Sequence, residues 1–238
     1  MPIGRLAALA ATTALALGAA PSFAADLGAG FNLSGGATLV SDYRFRGVSL
    51  SDQDPAVQAT ATIGHESGFY AGTWASSIDG GDLYGHTEVD LYGGWSGEML
   101  PGTTLDAMLA YYAYPNGDDA IGAADYFEGT AKLSHVFGPV TATAGLSYSW
   151  EQKALGGGDN LYLFSDLAAA VPGTPFTLKG HFGRTEGALA PDGDYLDWSL
   201  GADAALGSVT LGLAYVDSNI ARRHGVDAAL VLSAGIAF

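Results

Sequence analysis

Residues that could carry out catalysis or bind metal are few and scattered in this sequence. There are five histidines and no cysteine: His65, His86, His135, His181 and His224. None of the histidines forms an H-E-x-x-H motif or a close metal-binding pair. Ser134 and His135 are adjacent near a predicted strand end, where neighbouring side chains point to opposite faces, which disfavours a nucleophile–base pair. Acidic turns such as 52–54 and 192–194 could hold Ca²⁺ but lack a full EF-hand pattern. We therefore predict no enzyme activity, no cofactor and no metal site.

Charged residues instead recur at alternate positions of short apolar segments. In one segment Val89 and Leu91 share a face, and Glu88 and Asp90 occupy the other. Successive side chains of a strand point to opposite faces, so such segments predict strands with one apolar and one charged face. On a lipid-facing surface, Arg or Lys at mid-membrane would cost about 2–4 kcal/mol, so the charges are expected to face a pore. The predicted pore-lining residues are Asp42, Arg44, Arg46, Glu88, Asp90, Asp106, Glu128, Lys132, Asp166, Lys179, Asp197, Asp203 and Asp227.

Turn signals divide the chain into twelve such segments. They lie near residues 33–46, 55–65, 68–79, 85–96, 103–114, 125–137, 139–150, 160–171, 175–186, 195–206, 208–218 and 226–238. Tight turns alternate with longer acidic loops, which is the asymmetry of transmembrane barrels. The sequence thus predicts an all-β fold, a single transmembrane antiparallel up-and-down β-barrel of about 12 strands. The facing of segment 68–79 stays open.

Both ends of the chain agree with export to a bacterial outer membrane. Residues 1–24 combine Arg5, an apolar Ala/Leu run and small residues before a cleavage point, which predicts a signal peptide, with the barrel domain at 25–238. The last segment, DAALVLSAGIAF, alternates apolar and small residues and ends in an aromatic. This is typical of the strand that barrel-assembly machinery reads, so Phe238 is the predicted assembly signal.

The composition excludes several other classes of protein. Charged residues make up 14% of the chain, below the roughly 25% of soluble domains. No run of 18 apolar residues follows the predicted signal peptide, so helical membrane spans are not expected. A net charge of −16 argues against nucleic acid as a partner. The expected partners are outer-membrane lipid, the assembly machinery and small solutes, and the oligomeric state is left open.

One stretch carries a family resemblance. From Ser41 the chain reads SDYRFRG, then an S-x-S-D-x-x-P-A-x-Q run, then HESGFYAGTWAS. These sequence motifs, in this order, resemble those of the TorF family of porin-like proteins, also described as Gcw_chp-type. The resemblance covers about forty residues closely. It implies an outer-membrane barrel and supplies neither a substrate nor catalytic residues.

The predicted function is a porin-like channel for passive diffusion of small polar solutes, with a modest cation preference. A twelve-stranded barrel has a bore between the filled interior of eight strands and the open one of sixteen, and inward tyrosines would narrow it further. The alternative is a structural or adhesive barrel with an occluded lumen and acidic partner-binding loops. Arg44 and Arg46 would form either a basic strip or ion pairs that hold the wall. Predicted outward aromatics, as in interfacial girdles, are Tyr43, Phe45, Trp95, Tyr111, Tyr148, Trp150, Trp198 and Tyr215.

Overall fold

The structure is a computed structural model that describes residues 25–191, 193–221 and 224–238; the predicted signal peptide lies outside them. Its strands are β1 (Ala25–Gly28), β2 (Phe31–Val40), β3 (Arg44–Phe45), β4 (Val48–Ser49), β5 (Ala56–His65), β6 (Phe69–Ser77), β7 (Thr87–Leu100), β8 (Thr103–Ala113), β9 (Tyr126–Phe137), β10 (Val140–Ser149), β11 (Asn160–Ala170), β12 (Phe176–Gly187), β13 (Asp194–Leu206), β14 (Val209–Ser218) and β15 (Ala229–Ala237). Helix α1 (Gly81–Tyr84) and a 3₁₀ turn (Lys153–Leu155) lie between strands. Neither helix in these ranges is long and apolar enough to span a membrane.

Twelve of these strands close into a barrel. Strands β5 to β15 each pair antiparallel with their sequence neighbours, and β2 pairs with both β5 and β15. Full closure leaves the barrel without an open sheet edge. The predicted antiparallel barrel of about 12 strands is confirmed.

Strand β1 is an addition that the sequence pattern did not predict. β5 pairs with β2 from Phe31 to Val40 along one edge, so β1 and β15 share the other edge. β15 pairs with the Gly36–Val40 part, and β1 pairs with the Phe31–Leu33 part. β1 therefore extends the line of β15 along β2.

The alternation of the sequence becomes an apolar outside and a polar inside. Outward leucines such as Leu91, Leu200 and Leu230 are more than half exposed, whereas inward Glu88 and Glu128 are buried. A strand with this division suits a wall between lipid and a polar lumen. Strand β6 follows the same rule: Phe69 is exposed and Ser76 is buried, which settles the facing that its sequence left open.

Loop lengths differ between the two ends of the barrel. The long-loop end carries the connections 41–55, 78–86, 114–125, 150–159, 188–193 and 219–228. The short-turn end carries five turns of two to five residues, together with the start of β2 and the end of β15. This asymmetry agrees with the predicted loops and turns, except that the first long loop begins earlier than expected.

Candidate functional site

The interior is dominated by the connection 41–55, here called the inserted loop. The wall strand ends at Val40, and the chain then folds into the barrel as the β3–β4 hairpin. Arg46 and Gly47 at its tip have φ of 50° and 82°, which permits the tight reversal. Tyr43, Arg44 and Arg46 are all nearly fully buried. The prediction that residues 41–46 continue the first wall strand is wrong.

This correction also changes the facing of two aromatics. Tyr43 and Phe45 were predicted to face lipid, but Tyr43 is 2% exposed and packs with Trp74 inside the barrel. Phe45 makes an edge contact with Tyr112. Consecutive residues Asp42, Tyr43 and Arg44 are all buried, so the alternation of the sequence here does not correspond to a wall strand with one face to lipid.

Arg46 anchors the tip of the inserted loop to residues on the opposite side of the lumen. Its Nη2 donates to Oε1 and Oε2 of Glu128 on β9, at 2.7 and 2.8 Å. Its guanidinium lies 4.1 Å from the ring centroid of Tyr162 on β11, within range of a cation–π contact. Strands β9 and β11 lie on the far side of the barrel from β2. The loop is therefore anchored to the opposite wall.

Arg44 anchors the base of the same loop. It forms an ion pair with Asp42, and Ser49 Oγ donates to the other Asp42 oxygen at 2.6 Å. Arg44 Nη1 also donates to the carbonyl oxygens of Gly225 and Asp227, at 3.2 and 2.9 Å. The inserted loop is thereby tied to the connection that precedes β15.

Asp227 is not placed as the pattern predicted. It precedes β15, lies in an exposed bend, and offers only its main-chain carbonyl to Arg44. The predicted strand 226–238 begins three residues later, at Ala229. The carboxylate of Asp227 therefore belongs to the long-loop end and not to the inner wall.

Two further ion pairs lie on the wall. Lys132 Nζ is 4.0 Å from Asp106 Oδ1, and the Tyr70 hydroxyl donates to the same carboxylate at 3.1 Å. Lys179 pairs with Asp203 of the adjacent strand. Each pair crosses between neighbouring strands, so it both neutralises charge and holds the wall.

A third wall cluster centres on His181 of β12. Its Nδ1 is 2.6 Å from Asp166 Oδ1, and its Nε2 is 3.1 Å from Asp197 Oδ1 and 2.7 Å from the Tyr162 hydroxyl. The two-residue spacing of Lys179 and His181 was the available signal. The partners lie on β11 and β13. The spacing of Lys179 and His181 does not predict the register in which these strands pair with β12.

Several tyrosines are buried in the remaining interior. Tyr112 and Tyr126 stack at 4.6 Å, and the Tyr92 hydroxyl is 2.6 Å from Thr62 Oγ1. Glycines on adjacent strands make room for these rings: a Cβ at Gly72 would meet the Tyr92 hydroxyl at 2.6 Å. The predicted narrowing by inward tyrosines thus has a geometric basis.

Two tyrosines bond a carboxylate that forms no ion pair with any arginine or lysine in the described part of the chain. Tyr43 and Tyr114 form side-chain hydrogen bonds with Glu88 at the start of β7. Burial, and then the negative charge of Glu88, raise the pKa of Tyr43 and Tyr114 well above the ordinary value. Both hydroxyls therefore keep their protons and act as donors.

The fold and the interior define a class: a closed twelve-stranded antiparallel barrel with a charged lumen and a loop folded into it. The sequence matches the family described as "Bacterial protein of unknown function (Gcw_chp)" over residues 24–231. The chain belongs to this family. The match confirms the Gcw_chp part of the sequence resemblance, and the TorF name stays a prediction. No curated protein matches the chain.

Solved structures with a similar fold include outer-membrane porins and channels. The NanC porin has a TM-score of 0.58 at 11% identity, over 87% of this chain and 98% of that one. A KdgM porin in complex with disordered oligogalacturonate has a TM-score of 0.58 at 4% identity, over 87% and 97%. The COG4313 outer membrane channel from Pseudomonas putida F1 has a TM-score of 0.54 at 11% identity, over 92% and 98%. At these identities the likeness concerns the fold.

Proposed function

We propose that this protein is a bacterial outer-membrane channel for passive diffusion of small polar solutes and that it prefers cations. An apolar outer wall around a charged interior supports a membrane location. The fold shared with porins and channels supports a transport role. Export through a signal peptide, insertion by barrel-assembly machinery and recognition of Phe238 belong to the same proposal.

The observation that carries the cation preference is the charge of the interior. The acidic residues placed there are Asp42, Glu88, Asp90, Asp106, Glu128, Asp166, Asp197 and Asp203. Among the described residues the basic side chains there are Arg44, Arg46, Lys132 and Lys179, with His181 as a further base. The acids outnumber the bases even when His181 is protonated. A narrow, negatively lined passage concentrates cations and repels anions.

The size and charge of the lumen restrict the solute. The inserted loop and the tyrosines narrow the passage at the long-loop half, so the proposed solutes are small ions and small polar molecules. Oligogalacturonate, which is bound to the KdgM porin, is a polyanion. The excess of acids in this lumen disfavours passage of such a molecule.

The test is the reversal potential of the purified, refolded protein in a planar bilayer under a KCl gradient. We expect a cation-selective potential that decreases at high salt, because screening shortens the field of the acids. Asp118→Asn combined with Asp119→Asn alters two exposed loop residues and should leave the potential unchanged. An anion-selective potential would refute the proposal.

A second function is favoured by one specific observation. The Arg46–Glu128 pair at the tip of the inserted loop is 1% exposed on each side, as expected if the loop closes the lumen. The protein would then be a structural or adhesive barrel that uses its acidic loops for binding. A bilayer that stays silent although heat-modifiable, folded protein is present would select this alternative.

A further inference from the structure

The ion pairs inside the barrel leave two acids over. Arg44 pairs with Asp42, Arg46 with Glu128, Lys132 with Asp106 and Lys179 with Asp203. His181 contacts both Asp166 and Asp197. Each basic side chain in the described interior is therefore committed to an acid other than Glu88 or Asp90.

These two carboxylates are deeply buried and incompletely bonded. Glu88 is 1% exposed and Asp90 is 9% exposed. Glu88 Oε2 and Asp90 Oδ1 have no hydrogen-bond partner among the described residues. Burying a carboxylate oxygen without a partner or a counter-ion is strongly unfavourable. The site therefore has no neighbouring positive charge among the described residues. Its two unpartnered oxygens would be satisfied by two hydrogen-bond donors or by one cation.

The two side chains face the same space. They are two residues apart on β7, so both point inward with their Cα atoms about 6.6 Å apart. Tyr43 of the inserted loop and Tyr114 bond the other side of the Glu88 carboxylate. On the neighbouring strands, Ser76 pairs in register with Glu88, and Tyr112 pairs with Asp90. The surroundings are therefore oxygen-rich.

We propose that Glu88 and Asp90 form a binding site for one hard divalent cation of the Ca²⁺ class on the lumen wall. Two carboxylates balance its charge, and tyrosine hydroxyls and water supply further oxygens, the ligands that Ca²⁺ prefers. Among the described residues no group of three or more His, Asp or Glu converges on a metal position. The site is therefore weak, with a dissociation constant on the order of 0.1–1 mM, as in low-affinity calcium modules.

This inference deepens the proposed function, because it names where a cation resides inside the channel. Its test uses Tb³⁺, a Ca²⁺ analogue whose luminescence is excited through nearby tyrosines, added to the refolded full chain in detergent. We expect Tb³⁺ luminescence that Ca²⁺ competes away. Glu88→Gln combined with Asp90→Asn should abolish the signal, and Asp90→Asn alone should weaken Ca²⁺ competition about tenfold. Asp118→Asn combined with Asp119→Asn is the matched control and should bind as the wild type.

The outcomes separate this site from the channel itself. A silent bilayer with intact Tb³⁺ binding would refute the channel and leave the site standing. Absence of Tb³⁺ binding, or equal binding by the Glu88/Asp90 double variant, would overturn the site. An infrared band of a protonated carboxyl group that the double variant loses, without cation binding in the wild type, would show that the pair holds a proton and would also overturn it. Heat modifiability checks that every variant is folded.

Discussion

Replacement of Arg46 by Ala should release the inserted loop from the lumen. Arg46 holds the loop to the far wall through both oxygens of Glu128 and through the ring of Tyr162. Without the guanidinium, Glu128 would remain buried as an unpaired charge while the loop stays in place. Withdrawal of the loop would expose Glu128 to water, so the released state should become favourable.

The size of the effect follows from the burial of the pair. Both side chains are 1% exposed, and removal of one partner of a buried ion pair costs about 3–5 kcal/mol. This corresponds to roughly two to four powers of ten in the ratio of inserted to released loop. The exposed pairs of Arg184 with Glu186 and Asp194 lie at 3.3 and 3.2 Å, and such pairs contribute about 0–1 kcal/mol.

Two measurements report the released loop. Backbone amide exchange of residues 41–55, followed by mass spectrometry, should become faster in Arg46→Ala, and bilayer conductance should rise. Arg184→Ala is the matched arginine control and should leave both unchanged. Arg46→Met combined with Glu128→Gln should restore slow exchange, because no unpaired charge is then buried.

The reasoning would be refuted by wild-type exchange and wild-type conductance in folded Arg46→Ala. It would also fail if Arg184→Ala released the loop to the same extent, because the effect would then not depend on burial. A loop that stays released in the double variant would show that the hydrogen bonds and the ring contact of the guanidinium hold the loop, and that relief of the unpaired buried charge is not sufficient.

Further predictions concern packing, assembly and topology. Gly72→Ala should lower the free energy of unfolding of the barrel by about 1–3 kcal/mol, because its Cβ would meet a carbonyl oxygen and a tyrosine hydroxyl at 2.5 and 2.6 Å. Gly180→Ala is the control: a Cβ at Gly180 would have nothing within 4 Å, so the thermal unfolding temperature should stay unchanged. Deletion of Phe238 should reduce the heat-modifiable folded barrel in outer membranes, and an unchanged level would contradict the proposed signal. Cysteine at Asp118, at the long-loop end, should react with an impermeant thiol reagent on intact cells, whereas cysteine at Gly138, at the short-turn end, should react only after the outer membrane is breached. The reverse pattern would invert the proposed orientation.

The residue pattern alone was sufficient for the barrel and for the facing of most of its strands. The two-residue period follows from strand geometry, and lipid tolerates charge on only one face. Residues such as Glu88, Asp106 and Lys132 therefore show their facing in the sequence, before any partner is known. Turn residues mark where each strand ends, to within a few positions.

The residue pattern did not predict which residues pair between strands. His181 contacts Asp166 and Asp197 only because β11, β12 and β13 meet in one particular register. Arg46 and Glu128 are 82 residues apart, so neither residue indicates the other along the chain. The assignment of each base to an acid, and hence the surplus at Glu88 and Asp90, needs the closed barrel.

The inserted loop shows most clearly what only the tertiary structure decided. Residues 41–46 alternate apolar and polar residues as a wall strand does, although only Arg44 and Phe45 lie in strand β3, so the local sequence did not reveal the inserted loop. The choice depends on distant groups: Glu128 and Tyr162 receive Arg46, and the carbonyls of Gly225 and Asp227 receive Arg44. The sequence by itself determined the barrel and the charge of its lumen, since both follow from local alternation. The filling of that lumen was decided by contacts that exist only once the barrel has closed.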